Sequence, residues 1–194
     1  MESDGLKVLM LSSDRSILSL GSPVGSRIKE YGNLVKELHI VLLTDSSHGL
    51  KDTELGKNVW VYPTNSFFNL MRPIDAARMG KKIVFEKKFV RGQSLITTQD
   101  MESAWAGVKI KNKWRIPLEV QIHTDPLSPY FNGFQNNVRK MFIKGILGKA
   151  DSVRVVSRAL KEKVSAYTTA EINILPIYID KGRIERERFA FDVH

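Results

Sequence analysis

A chain of 194 residues, 42% hydrophobic and 26% charged, is long enough for one domain with a proper core and needs no disulfide or metal staple. It contains no cysteine, which excludes disulfides, thiol nucleophiles and Cys-based zinc sites and suits the cytoplasm. Its net charge of +9 creates a field that attracts nucleic acid, anionic lipid or phosphorylated ligands without choosing among them.

The first residues, Met1-Glu2-Ser3-Asp4-Gly5, are polar and acidic and do not read as a signal peptide. Lys7 to Ser13 reads as a buried strand, followed by a Gly/Ser/Pro loop from Asp14 to Pro23. Val24 to Lys36 carries Val24, Ile28, Tyr31, Leu34 and Val35 at helical spacing. Leu38 to Leu43 is a second strand, and Val59 to Tyr62 a third, stopped by Pro63. Asn65 or Ser66 is placed to cap a helix that runs into the eighties, with an interruption expected near Pro73. Ser94 to Thr98 is a fourth strand, and Asp100 caps the helix after it. Pro117 to His123 is a fifth strand, with a helix expected from about Gln135 to Leu147. Ser152 to Val156 is a sixth, and Ser157 caps a helix from Arg158 to Tyr167. Ile172 to Leu175 is a short last strand.

Strands separated regularly by helices imply βαβ units, hence an α/β Rossmann-like domain with a mostly parallel sheet. The domain is expected to span residues 1–180. The tail from Lys181 to His194 mixes Lys181, Arg183, Arg186 and Arg188 with Glu185 and Glu187. It reads as a linker towards a further domain or as a terminal helix packing back. No apolar run approaches the roughly 18–20 residues of a membrane span.

Ligands of an open parallel sheet bind beyond the carboxyl ends of its strands. That rule selects the loops Ser12 to Pro23, the turn after Leu43, Thr98 to Asp100, and His123 to Pro129. The first contains Gly21, Gly25, Ser26 and Arg27 ahead of a helix, where free amides favour an anion. The same glycines also suit a tight strand-to-helix turn. The loop is neither G-x-G-x-x-G nor a Walker A sequence, which argues against dinucleotide oxidoreductases and NTPases. His123 ends a strand expected in the middle of the sheet, with Asp125 two residues on. It is either a ligand-binding imidazole, able to act in both protonation states, or a core histidine satisfied by backbone.

No His/Asp/Glu group has metal-ligand spacing, so no metal site is expected, and there is no G-x-S-x-G elbow. The basic groups Lys81/Lys82/Lys87/Lys88/Arg91, Lys109/Lys111/Lys113/Arg115 and Arg139/Lys140/Lys144/Lys149 are either solvated faces or contacts to an anionic membrane surface. Aromatics are not interleaved with them as in stacking platforms, so nucleic acid is not an expected partner.

Together, the opening strand with its Gly/Ser loop, Ile96-Thr97-Thr98-Gln99-Asp100, Gln121-Ile122-His123-Thr124-Asp125, and the run Ala150 to Leu160 resemble the N-terminal domain of family 4 glycosyltransferases. Ile174 to Asp180 resembles the passage into that family's second domain. The resemblance covers about Leu6 to Asp180. It implies the acceptor-side half of a GT-B enzyme, two Rossmann-like domains facing a cleft. It also implies retaining transfer from a nucleotide-diphosphate sugar to a glycan or lipid-linked acceptor, without a catalytic metal or a cofactor. Under it, Gly21, Gly25 and Ser26 of the glycine loop lie at the donor phosphate or sugar, Arg27 offers charge to a phosphate or to the acceptor, and His123, with Asp125, lies at the transferred sugar. The family's nucleotide-sugar contacts belong to the second domain, so this chain by itself is expected to lack turnover. The expected location is cytoplasmic, or peripheral on the inner face of the membrane.

Overall fold

The computed structural model describes residues 5–125 and 134–176. The tail 181–194, the boundary at 180 and the end of the His123 to Pro129 loop lie outside the described residues.

Eight strands form one sheet: β1 (Lys7–Ser12), β2 (Glu37–Leu42), β3 (Thr53–Gly56), β4 (Val59–Pro63), β5 (Ser94–Thr98), β6 (Leu118–Ile122), β7 (Ser152–Val155) and β8 (Glu171–Ile174). Their order is β3-β4-β2-β1-β5-β6-β7-β8, and every pairing is parallel except β3 with β4. The chain works outward from β1 in one direction, then returns past it to build the other half. The order therefore reverses between β1 and β5, and the two flanking loops diverge there to leave a crevice.

The helices are α1 (Pro23–Gly32), α2 (Arg72–Glu86), α3 (Met101–Trp114), α4 (Phe134–Leu147) and α5 (Arg158–Ser165). Alternation along β1 sends Val8 and Met10 to one face and Leu9 and Leu11 to the other. Leu9 and Leu11 join a core with residues of α2, α3, α4 and α5, including Val84, Ile110, Leu147 and Val164. Val8 and Met10 pack with Ile28 of α1 over β1, β2 and β4. On that face, among the described residues, the floor over β5, β6 and β7 carries the polar Thr97, Glu119, Gln121 and Arg154, and Leu95 of β5 shares it.

Local chemistry explains the boundaries. Ser22 caps α1 by accepting from the Gly25 N–H, with Pro23 in the first turn. Asp100 and Ser103 form a reciprocal capping box on α3, and Ser157 caps α5. α3 lies close on the sheet because residue 107 is glycine: a Cβ there would stand 2.7 Å from Thr98 Cγ2 and 2.9 Å from Leu118 Cδ1.

Three local expectations differ from the structure. α1 stops at Gly32 rather than Lys36, which leaves Leu34 exposed. Pro73 starts α2 instead of interrupting a longer helix, because its fixed φ suits the first turn. Ser66 is buried in a bridge to Asp45 and caps nothing. The edge strand β3 was missed because its residues, Thr53-Glu54-Leu55-Gly56, carry little β signal and pair only through a hairpin with β4.

Candidate functional site

The carboxyl ends of β1 and β5 are tied together by short polar links. Ser12 Oγ donates to Gln99 Oε1 at 2.7 Å. The backbone N–H and hydroxyl of Ser13 donate to Asp100 Oδ2 at 3.2 and 2.9 Å. Asp100 Oδ1 accepts from the Ser103 N–H at 2.7 Å, so one carboxylate caps α3 and anchors the loop after β1. The crevice lip is thereby fixed by charge-assisted bonds rather than left as free loop.

From this lip a cleft of about 710 Å³ runs down the sheet face beside α1, within the size range of small-ligand sites. Its upper end is bordered by Ser13, Asp14, Arg27, Asp100, His123 and Arg154. Below them lies a cross-strand polar relay. Thr97 Oγ1 donates to Glu119 Oε1 at 3.0 Å. Gln121 Nε2 donates to Thr97 Oγ1 at 2.8 Å and to Glu119 Oε1 at 2.9 Å. Both Gln121 N–H donors are thereby engaged, and its Oε1 accepts from Arg154 at 2.5 Å. Burial of Thr97 and Gln121 makes this relay stiff, because leaving any member unpaired would be costly.

His123 is half-buried at the cleft wall, just past the end of β6. Its pKa is held below the ordinary 6.5, first by burial and then by the guanidinium of Arg154. Arg27 acts in the same direction, and Asp100 opposes them. The imidazole is therefore neutral near pH 7, one ring nitrogen a donor and the other an acceptor.

The structure brings His123 and Arg27 to the same cleft. Gly21, Gly25, Ser26 and Asp125 do not border it. Gly21 takes a positive φ of 70°, where a side chain would be strained. Gly25 is buried against the turn before α1, and a Cβ there would come within 3.0 Å of the Ile17 carbonyl oxygen. Its N–H is already bonded to Ser22 Oγ at 2.8 Å, and Pro23 has no N–H, so few amides of this helix start remain for a ligand. Ser26 is exposed on α1. Asp125 forms an ion pair with Lys163 of α5 at 2.5 Å.

Arg154 and the relay beneath it were missed in the sequence. Gln121 and Arg154 stand on adjacent strands in paired register, and only sheet order reveals that. Among the described residues no group of three or more His, Cys, Asp or Glu side chains gathers to hold a metal ion. No described helix is long and apolar enough to cross a membrane.

The fold is Rossmann-like and matches domains of GT-B glycosyltransferases. Sucrose-phosphate synthase from Thermosynechococcus elongatus superimposes with a TM-score of 0.72 at 12% identity, over 96% of this chain and 53% of that one. A shorter chain of that synthase gives 0.65 at 13% identity, over 94% and 99%. Anabaena HepE in complex with UDP and glucose gives 0.57 at 19% identity, over 95% and 50%. At such identities the likeness is one of fold, and the chain spans about half the length of the longer structures. No family model and no curated protein matches the sequence.

Proposed function

We propose that this domain is the acceptor-side (N-terminal) half of a retaining, metal-independent glycosyltransferase of the family 4 type. It works with a second Rossmann-like domain that holds a nucleotide-diphosphate sugar. The observation that carries the reading is the cleft at the β1/β5 switch point, with half-buried, neutral His123 on its wall and Arg27 and Arg154 beside it. In such a transfer the anomeric C–O bond to the diphosphate breaks, and its electron pair leaves with the nucleoside diphosphate. A new C–O bond forms to an acceptor hydroxyl, whose proton passes to the departing phosphate or to solvent. A neutral imidazole there donates a hydrogen bond to the transferred sugar without repelling positive charge that develops at the anomeric carbon. HepE, solved with UDP and glucose, gives this reading a structural precedent.

The test measures nucleoside diphosphate released from a panel of nucleotide-diphosphate sugars. The chain is assayed alone and paired with a donor-binding domain, with glycan, sugar-phosphate and lipid-linked acceptors. The paired protein transfers and the single domain does not. His123→Ala lowers transfer by about a hundredfold while unfolding as wild type. Absence of transfer from every nucleotide sugar refutes the reading.

A second reading, a basic module that holds a membrane surface or a lipid-linked acceptor and recruits a catalytic partner, is favoured by residues at the two ends of α2. Phe67, Phe68 and Leu70, ahead of α2, are 80%, 64% and 85% exposed. α2 and the turn after it add Lys81, Lys82, Lys87 and Lys88. Apolar tips ahead of α2 and basic side chains at its far end suit an anionic bilayer.

A further inference from the structure

The charged groups of the cleft are matched unequally. Three carboxylates border it, and each is already engaged. Asp14 accepts from the Ser16 N–H and hydroxyl at 3.0 and 2.6 Å. Asp100 is held by Ser13 and Ser103. Glu119 accepts from Thr97 and Gln121. The two guanidiniums are not so matched. Among the described residues, neither Arg27 nor Arg154 forms an ion pair with a carboxylate. Arg154 makes one side-chain hydrogen bond, to Gln121, and that bond orients it: Gln121 is locked by Thr97 and Glu119 beneath. No described residue accepts from the remaining N–H groups of the Arg154 fork, which leaves them for a ligand. Arg27 reaches the same cleft from α1 on the opposite wall. Both guanidiniums lie near enough to His123 to act on its imidazole.

Two guanidiniums from opposite walls, one of them pre-oriented, make a clamp for a tetrahedral oxyanion. Arginine forks match phosphate oxygens two at a time and lose little freedom on binding. The α1 N-terminus offers little competition, since the Gly25 amide is engaged by Ser22 and Pro23 has none. The cleft also has room for more than phosphate alone, at about 710 Å³.

We propose that Arg27 and Arg154 clamp the phosphate of a phosphorylated small-molecule acceptor, of the sugar-phosphate class, and present its hydroxyls to His123. The proposal rests on the glycosyl-transfer reading, under which the donor diphosphate belongs to the second domain and an anion site on this wall serves the acceptor. Arg154 is then a specificity-determining residue, and Gln121, Thr97 and Glu119 are positioning residues behind it.

The experiment titrates the chain with glucose 6-phosphate, inorganic phosphate, glucose and UDP, read by amide chemical shifts and by calorimetry. Glucose 6-phosphate is expected to bind most tightly and to be displaced by inorganic phosphate, whereas glucose binds far more weakly. Arg154→Gln and Arg27→Gln are each expected to weaken glucose 6-phosphate at least about tenfold, as loss of a charged hydrogen-bonding partner does, and to leave UDP unchanged. Arg27 is exposed on α1, so its variant keeps the test open if Arg154→Gln fails to fold. Gln121→Leu frees Arg154 without removing it, and a smaller loss of phosphate affinity is expected.

Unchanged glucose 6-phosphate affinity in both arginine variants overturns the proposal, as does absence of binding at millimolar phosphate. Arginine-dependent binding of UDP but not glucose 6-phosphate also overturns it, assigning the clamp to the donor. Should transfer fail with every nucleotide sugar while arginine-dependent phosphate binding persists, the glycosyl-transfer reading falls and the anion clamp remains.

Discussion

Asp100 joins the stability of the fold to the electrostatics of the cleft, and two substitutions separate these roles. Asp100→Ala removes the α3 cap and both bonds from Ser13. Loss of the cap costs about 1 kcal/mol. Loss of the partly solvated Ser13 bonds costs about 1 kcal/mol more. The sum of about 2 kcal/mol corresponds to a fall in Tm of about 4–8 °C for a domain of this size. Asp100→Asn keeps the α3 cap through its one side-chain oxygen but sets an NH2 group against the Ser13 N–H and removes the charge, so it is expected to lose only the Ser13 share, about 1 kcal/mol. Its charge effect falls on His123. The Asp100 charge pulls the His123 pKa upward against burial, Arg154 and Arg27, so removing it lowers that pKa further. Urea and thermal unfolding give the first quantity, and imidazole shifts followed against pH give the second. An Asp100→Ala midpoint within about 1 °C of wild type would refute the cap-and-anchor account. A His123 pKa that rises in Asp100→Asn would refute the electrostatic one.

Two further outcomes follow from the structure. His39 is fully buried, stacked on Trp60 at 4.7 Å between ring centroids and hydrogen-bonded to Tyr62 and Glu37. Burial holds its pKa below 6.5, with Glu37 opposing and Lys87 and Lys7 assisting. As pH falls below 6.5 the unfolded chain takes up this proton first, so stability is full above that value and declines beneath it. His123 contributes with the same sign. His39→Gln is expected to flatten the fall in stability between neutral and mildly acid pH, and an unchanged slope in urea titrations counts against the assignment. On the membrane reading, the chain co-sediments with anionic vesicles, and less so at high salt. Replacing Phe67, Phe68 and Leu70 together by Ala weakens this binding and leaves a salt-sensitive remainder, since the basic side chains contribute about 1 kcal/mol each. Binding that ignores both lipid charge and salt refutes it.

Much of the fold was legible because it is written locally. Lys7 to Ser12 and Leu38 to Leu42 are nearly unbroken apolar runs, as a parallel strand buried on both faces requires. Asp100 and Ser157 stand one residue before helices they do cap. β3 was not legible, because Thr53-Glu54-Leu55-Gly56 carries little β signal of its own and is held as a strand by its hairpin with β4. The site was legible in part. His123 and Arg27 share the cleft, since both follow from the rule that ligands gather at strand carboxyl ends. Gly25 illustrates the limit. Its type suits an anion loop and a crowded turn equally, and only the 3.0 Å approach of the Ile17 carbonyl shows the crowding.

The sequence by itself determined the strand–helix alternation, the caps and the residues at strand ends, because these depend on neighbours within a few positions. The tertiary structure alone decided the sheet order, and with it the crevice between β1 and β5. It also decided that Arg154, 31 positions beyond His123 in the chain, stands close enough to depress its pKa. Parallel strands hydrogen-bond to partners distant in sequence, so the groups that meet across the sheet are set by which strands become neighbours.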